Sequence, residues 1–213
     1  MNREWEFQEK GSSKNPRLLL KTTLTALFAA LIAAGAFIAI PIGPVPIVLQ
    51  NLFAVLSGII LGPLMGGAAV GLYLLAGLLG FPVFAGGSGG IARFAGPTGG
   101  YLAGYLLAAV VSGLIAGEPA SGKPASGKPS AGKPRSAAGV SFLRINAAVI
   151  SGFLVIYVPG ILWLNISGKL GWARALAAGF VPFVIGDILK GIGAVLIAPR
   201  LKKTASDFFN GNR

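Results

Sequence analysis

The sequence predicts an all-α membrane protein of six transmembrane helices with both termini in the cytoplasm, and three observations carry the prediction. Of 213 residues, 54% are hydrophobic and only 11% charged, whereas soluble domains carry roughly 25% charged residues. The mean hydropathy is +0.76. The charges are bunched between Arg3 and Lys21, Lys123 and Arg144, and Arg200 and Arg213, leaving long apolar runs between them.

Crossing about 30 Å of hydrocarbon takes about 20 apolar residues in a helix. Cut at Pro, Gly and charged punctuation, the apolar runs give spans at 22–40, 46–61, 64–80, 98–116, 141–164 and 172–199. The first follows Lys14, Arg17 and Lys21 but is too long for a signal peptide's apolar core, and further spans follow it, so it reads as a retained helix. The second and third are short and separated by Gly62 and Pro63 alone, so one bent element is an alternative there. The fourth to sixth are long enough to cross.

Orientation follows from the excess of Lys and Arg in cytoplasmic connections. With the N-terminus inside, the cytoplasmic segments hold the three clusters named above, and the outer loops hold only Arg93, Lys169 and Arg174. The chain then divides into a cytoplasmic tail at 1–21, four helices within 22–117, a linker at 118–140, two helices within 141–199 and a second cytoplasmic tail at 200–213. The linker repeats Ala-Ser-Gly-Lys-Pro twice and then Ser-Ala-Gly-Lys-Pro, a composition that cannot bury a core and suits a flexible connection.

Several functions are excluded on chemistry. The net charge of +12 flanks apolar runs and is not interleaved with aromatic residues on a polar surface, which argues against nucleic acid as a partner. With no Cys and no His, thiolate nucleophiles, imidazole acid–base catalysis and most zinc or iron ligation are absent. Gly117, Gly122 and Lys123 mimic part of a phosphate-binding loop, but Pro124 stands where Ser or Thr must reach Mg²⁺, and Pro129 and Pro134 repeat the defect. No cofactor is expected, nor any catalytic machinery. Binding remains.

Asp187 is the only acidic residue within an apolar span, and a carboxylate there costs at least a few kcal/mol unless it faces a partner or a cavity. Lys190 follows at a spacing that puts both side chains on one helical face. Two readings fit: a neutralised pair that holds the sixth helix, or an acceptor and donor for a ureido or amide group, beside a helix face thinned by Pro182, Gly186, Gly191 and Gly193.

Arg93 is the lone charge of the Gly-rich stretch 81–100, which reads either as a re-entrant loop over a site or as a tight outer connection. Its guanidinium either grips a ligand carboxylate or snorkels to the headgroup layer. Gln50 and Asn51 can add hydrogen bonds, and Tyr73, Phe84, Tyr101 and Tyr157 can line an apolar ring or simply pack. On the first helix Ala26, Ala30 and Ala34 recur every four residues, a small-residue face suited either to internal packing or to another helix.

Four motifs occur in order: Phe37-Ile-x-Ile-Pro41-Ile-Gly43-Pro44-Val-Pro46-Ile-x-Leu-Gln50, Leu79-Gly-x-Pro82-Val-Phe84-Ala-Gly-Gly87-x-Gly89-Gly90, Gly96-Pro97-Thr98-Gly99-Gly100-Tyr101-Leu and Pro182-x-x-x-Gly186-Asp187-x-x-Lys190. From about Leu24 to Arg200 the chain resembles the BioY family, the biotin-specific S components of energy-coupling-factor transporters. The resemblance implies a six-helix S-component fold in a prokaryotic cell membrane and biotin bound near the outer face, with Asp187 and Lys190 addressing its polar head. It also implies partners, one T-component membrane protein and two cytoplasmic ATPases, with the Ala26/Ala30 face docked on the T component. The Gly-Lys-Pro linker departs from the family's usual short connection. On this reading the chain captures biotin and leaves ATP hydrolysis to its partners. The alternatives are a secondary transporter that cycles a proton on Asp187 and a structural subunit that binds no small molecule.

Overall fold

A computed structural model describes residues 16–41, 44–117 and 142–210. The first fifteen residues, Ile42 and Gly43 of the first motif, the expected linker at 118–140 (with all of its phosphate-loop mimic but Gly117), Ser141 and the last three residues lie outside the described residues. The described chain is helical apart from one short hairpin and the Gly-rich turn at 79–90. Its elements are α1 (Pro16–Phe37), β1 (Ala39–Ile40), β2 (Ile47–Val48), α2 (Gln50–Leu61), α3 (Pro63–Leu78), α4 (Ile91–Ala95), α5 (Gly99–Ala116), α6 (Phe142–Gly168), α7 (Trp172–Gly179) and α8 (Val181–Asn210).

Four helical stretches are long and apolar enough to cross a membrane: α1, α5, α6 and the run from Trp172 to Phe209. At 1.5 Å per residue, the 12 residues of α2 and 16 of α3 reach only about 18 and 24 Å, short of the hydrocarbon thickness. Gly62 separates them with φ 87°, ψ 173°, and Pro63 opens α3. This break answers the alternative of one bent element. Glycine supplies the positive φ, and proline starts a helix without forfeiting a needed N–H.

Several element boundaries differ from the sequence reading, α1 beginning already at Pro16 and ending at Phe37, and two of the differences follow from prolines. The run at 46–61 becomes helical only at Gln50. Before it, Ile47–Val48 pairs antiparallel with Ala39–Ile40, and Pro41 and Pro46 bias Ile40 and Val45 away from the helical region. The sixth run breaks at Phe180 (φ −126°, ψ −56°), since Pro182 has no N–H to return to the turn before it. Beyond it, α8 carries through Pro199 to Asn210, where the sequence suggested a tail from 200. Lys202 fastens that extension: its buried ammonium donates to the carbonyls of Ala116 and Gly117, at 2.7 and 2.6 Å, at the end of α5. A helix C-terminus offers unpaired carbonyls and favours a cation.

The bundle is centred on α5, packed most extensively on α6 and also on α2 and α3. Close backbone approach makes this possible. A Cβ on Gly104 would meet the Ile156 carbonyl oxygen at 2.8 Å, and one on Gly113 would meet Pro63 N at 2.6 Å. Gly58 and Gly66 meet each other across α2 and α3. Such faces drive helix association in lipid, where apolar side chains gain little from leaving the solvent. On α1, Phe28, Ala29, Ile32 and Ala36 are buried, while Ala26, Ala30 and Ala34 lie on the exposed side.

Replacing Gly104 with Leu is expected to destabilise the α5–α6 contact by about 1–3 kcal/mol or more through overpacking, lowering the thermal midpoint of the purified protein in detergent. Gly71→Ala, in α3 with nothing within 4 Å of the new methyl, serves as the control. It should leave the midpoint unchanged or raise it slightly.

Candidate functional site

The acid in the apolar span organises a buried cluster drawn from four elements. Asp187 of α8 forms an ion pair with Lys190 at 2.6 Å, both side chains 9% exposed. The spacing of three residues on α8 puts them on one face. Asn51, in the first turn of α2, bridges them. Its amide nitrogen donates to Asp187 Oδ1 at 2.8 Å and its Oδ1 accepts from Lys190 Nζ at 2.9 Å. Lys190 also donates to the Val48 carbonyl in β2 at 3.0 Å, so each of its three N–H donors has an acceptor. The other carboxylate oxygen accepts from the Tyr157 hydroxyl of α6. A charge pair in a low-dielectric interior persists only when its remaining donors and acceptors are also satisfied.

Beside this cluster is a narrow pocket of about 20 Å³, room for roughly one water molecule. Gln50, Phe84, Arg93, Tyr101 and Tyr105 are among its lining residues. Val48 joins the two: it lines the pocket and its carbonyl holds Lys190. Gln50 is buried and donates to the Tyr73 hydroxyl. Phe84 is 1% exposed and sits edge-on to Tyr73 and Phe94, at centroid distances of 5.5 and 5.6 Å. Its ring fills the space left by the missing side chain of Gly77.

The Gly-rich stretch folds as a tight turn, with Phe84 and Ser88 paired through their backbones, followed by α4. Gly80, Gly86, Gly87 and Gly90 all have positive φ. The turn carries Arg93 and orients it: Nε donates to Ser88 Oγ at 2.7 Å and Nη2 to the Ala85 carbonyl at 2.9 Å. The guanidinium is thus held at the pocket wall, with donors left for a further acceptor.

The structure therefore brings Asp187, Lys190 and Asn51 into direct contact and sets Gln50, Phe84 and Arg93 around the adjoining pocket, with Tyr73 one layer behind. Two tyrosines carry more than the sequence suggested. Tyr157 is a direct partner of the acid. Tyr105, which sequence reasoning passed over, lines the pocket while 6% exposed, and its hydroxyl has no protein hydrogen bond among the described residues. The signal was its place one turn after Tyr101 on the same face of α5. Tyr101 itself donates to the Gly179 carbonyl at 2.7 Å and so ties α7 to α5.

A helical bundle with membrane-length apolar helices and a fully paired acid–base cluster beside a small pocket defines a membrane-embedded binding protein. The chain belongs to the BioY family, whose profile matches residues 8–207. It is 39% identical over 182 residues to a probable biotin transporter BioY of Pyrococcus horikoshii, covering 85% of this chain and 96% of that one. It is 41% identical over 177 residues to the biotin transporter BioY of Thermotoga maritima, covering 83% and 92% respectively. The fold superposes with a TM-score of 0.72 and 28% identity on the crystal structure of the S-component for biotin from an ECF-type ABC transporter. That match covers 90% of this chain and 95% of the other.

Removing one member of the buried pair should be costly. Lys190→Met leaves Asp187 without its counter-charge and is expected to cost about 3–5 kcal/mol, read as a fall in unfolding temperature. Combining it with Asp187→Leu should recover much of that loss. A double variant destabilised by the sum of the two single effects would show that the pair is not energetically coupled.

Proposed function

We propose that this chain is the substrate-capture subunit of a biotin uptake system, loaded from outside and delivering inward with an ATP-driven partner module. The observation that carries the reading is the cluster of Asp187, Lys190 and Asn51 beside a pocket whose opposite wall presents Arg93. Biotin has a ureido head, an apolar bicycle and a carboxylate tail. The head matches an acceptor and donor set, the bicycle suits Phe84 and the tyrosines, and the tail matches a guanidinium fork. Membership in the BioY family and the names of the relatives support the same ligand.

In this reading the six apolar helical segments form the S-component bundle of a multi-pass plasma-membrane protein. Cytoplasmic termini and an outer Gly-rich turn follow from the distribution of Lys and Arg. Because the pocket has room for little more than a water, biotin enters by displacing its walls. The glycine-bearing turn between α3 and α4, with few side chains of its own to repack, is the wall best suited to yield. The partners are a T-component membrane protein and two cytoplasmic ATPases. The exposed Ala26, Ala30 and Ala34 face of α1 supports docking on the T component, since a flat face left free by internal packing is available to another helix. Asp187 as a cycling proton carrier fits less well, because both of its carboxylate oxygens are already engaged, one by Lys190 and Asn51 and the other by Tyr157.

Calorimetric titration of the purified protein with biotin should show tight one-to-one binding. Asp187→Asn and Arg93→Ala are each expected to weaken it by about 10- to 100-fold, the loss of a charged hydrogen-bond partner. Native affinity in both variants would remove this pocket as the site. Uptake into liposomes by the chain alone, abolished by collapsing a pH gradient, would replace capture with proton coupling.

A further inference from the structure

Between α6 and α8, sharing Asp187 and Tyr157 with the site above, lies a second and larger cavity of about 490 Å³. Phe153 and Leu154 of α6 form one wall and Ile188, Ile192 and Leu196 of α8 the other. It opens sideways: Leu154, Ile188, Ile192 and Leu196 are all exposed. Tyr157 and Asp187 line it towards Phe180 and Val184, and the Tyr157 hydroxyl is engaged by the Asp187 carboxylate. In a bilayer such a groove faces hydrocarbon, so its occupant must be apolar.

Its dimensions and its charged end identify that occupant. From Val184 to Leu196 the groove runs twelve residues along α8, and from Phe142 to Tyr157 it runs fifteen along α6, about 18 and 22 Å at 1.5 Å per residue, against roughly 30 Å of hydrocarbon core. It is a slot long enough for one extended acyl chain and too short to span the bilayer. Ile192, Leu196, Arg200 and Lys203 succeed one another at spacings of four, four and three, so the two exposed cations continue the strip that forms the apolar wall. Helical side chains lean towards the N-terminus, which tilts both cations back towards the mouth of the slot. Among the described residues neither is in an ion pair, although Asp207 lies one turn further on. In composition, residues 118–141 hold Val140 as their only large apolar side chain.

We propose that this groove binds an anionic phospholipid of the cytoplasmic leaflet, with one acyl chain between α6 and α8 and the headgroup phosphate on Arg200 and Lys203. The choice of leaflet rests on the orientation proposed above; the binding does not depend on biotin. Basic residues near the surface attract anionic lipid, and a chain held in a protein groove adds apolar contact to that attraction.

The test is native mass spectrometry of the full chain released from nanodiscs of equal phosphatidylglycerol and phosphatidylcholine. One phosphatidylglycerol should be retained in preference to phosphatidylcholine. The double variant Arg200→Ala, Lys203→Ala should lose that preference by roughly tenfold or more, in line with two surface cations. Val195→Trp and Leu154→Trp fill the slot from its opposite walls, and each should abolish the retained lipid of either kind. The thermal midpoint of each variant establishes that it is folded. Equal retention of the two lipids by the native chain would overturn the proposal, as would retention undiminished in both tryptophan variants. A protein dimer that replaces the lipid and is lost in those variants would assign the groove to a second copy instead. Failure of biotin to bind leaves these readouts intact, so the two readings fail separately.

Discussion

A carboxylate placed among apolar helices must be satisfied, and much of this structure follows from how Asp187 is. No single neighbouring element supplies enough partners. Lys190 comes from the same helix, Asn51 from the start of α2, Tyr157 from the middle of α6, and Val48 completes the lysine from β2. The acid therefore fixes the relative position of three helices and one hairpin, and it does so with directional bonds that apolar packing in lipid cannot provide. The prolines at 41 and 46 serve the same end, because only an extended segment ahead of α2 presents the Val48 carbonyl to the ammonium.

The rest of the bundle is organised by a different economy of atoms, the omission of side chains. Where α5 meets α2, α3 and α6, glycine lets backbones touch, so the central helix is surrounded at short range. The contrast with α8 is instructive. On α8 Gly191 faces Val149 and Phe153 of α6 at ordinary contact distance, and Ala194 and Ala198 are buried, while Ile188, Ile192 and Leu196 stand exposed along an open groove. There the packing is looser, and the polar cluster and the Lys202 clamp add directional bonds to it.

Much of this was legible in the sequence because the signals were local. Apolar run lengths gave the long helices, the spacing of Asp187 and Lys190 gave the ion pair, and the four glycine- and proline-rich motifs gave the family. Asn51 was recognisable as a donor but not as the bridge, since its partners lie more than 130 residues away and no spacing rule spans that distance. Tyr105 and Lys202 were missed for a related reason. A tyrosine in an apolar helix is usually packing, and a lysine beyond the last apolar run reads as solvated until another helix end is seen to receive it. The break at Phe180 was present in Pro182, but the continuous hydropathy on either side concealed it.

Lys202 has a consequence for how this chain tolerates change. By gripping the last carbonyls of α5 it secures the end of that helix, and α5 and α6 are packed extensively on each other. The end of α5 and the start of α6 are therefore held by contacts that use none of the residues between them in the sequence. A change in the number of Gly-Lys-Pro repeats would leave every one of those contacts in place.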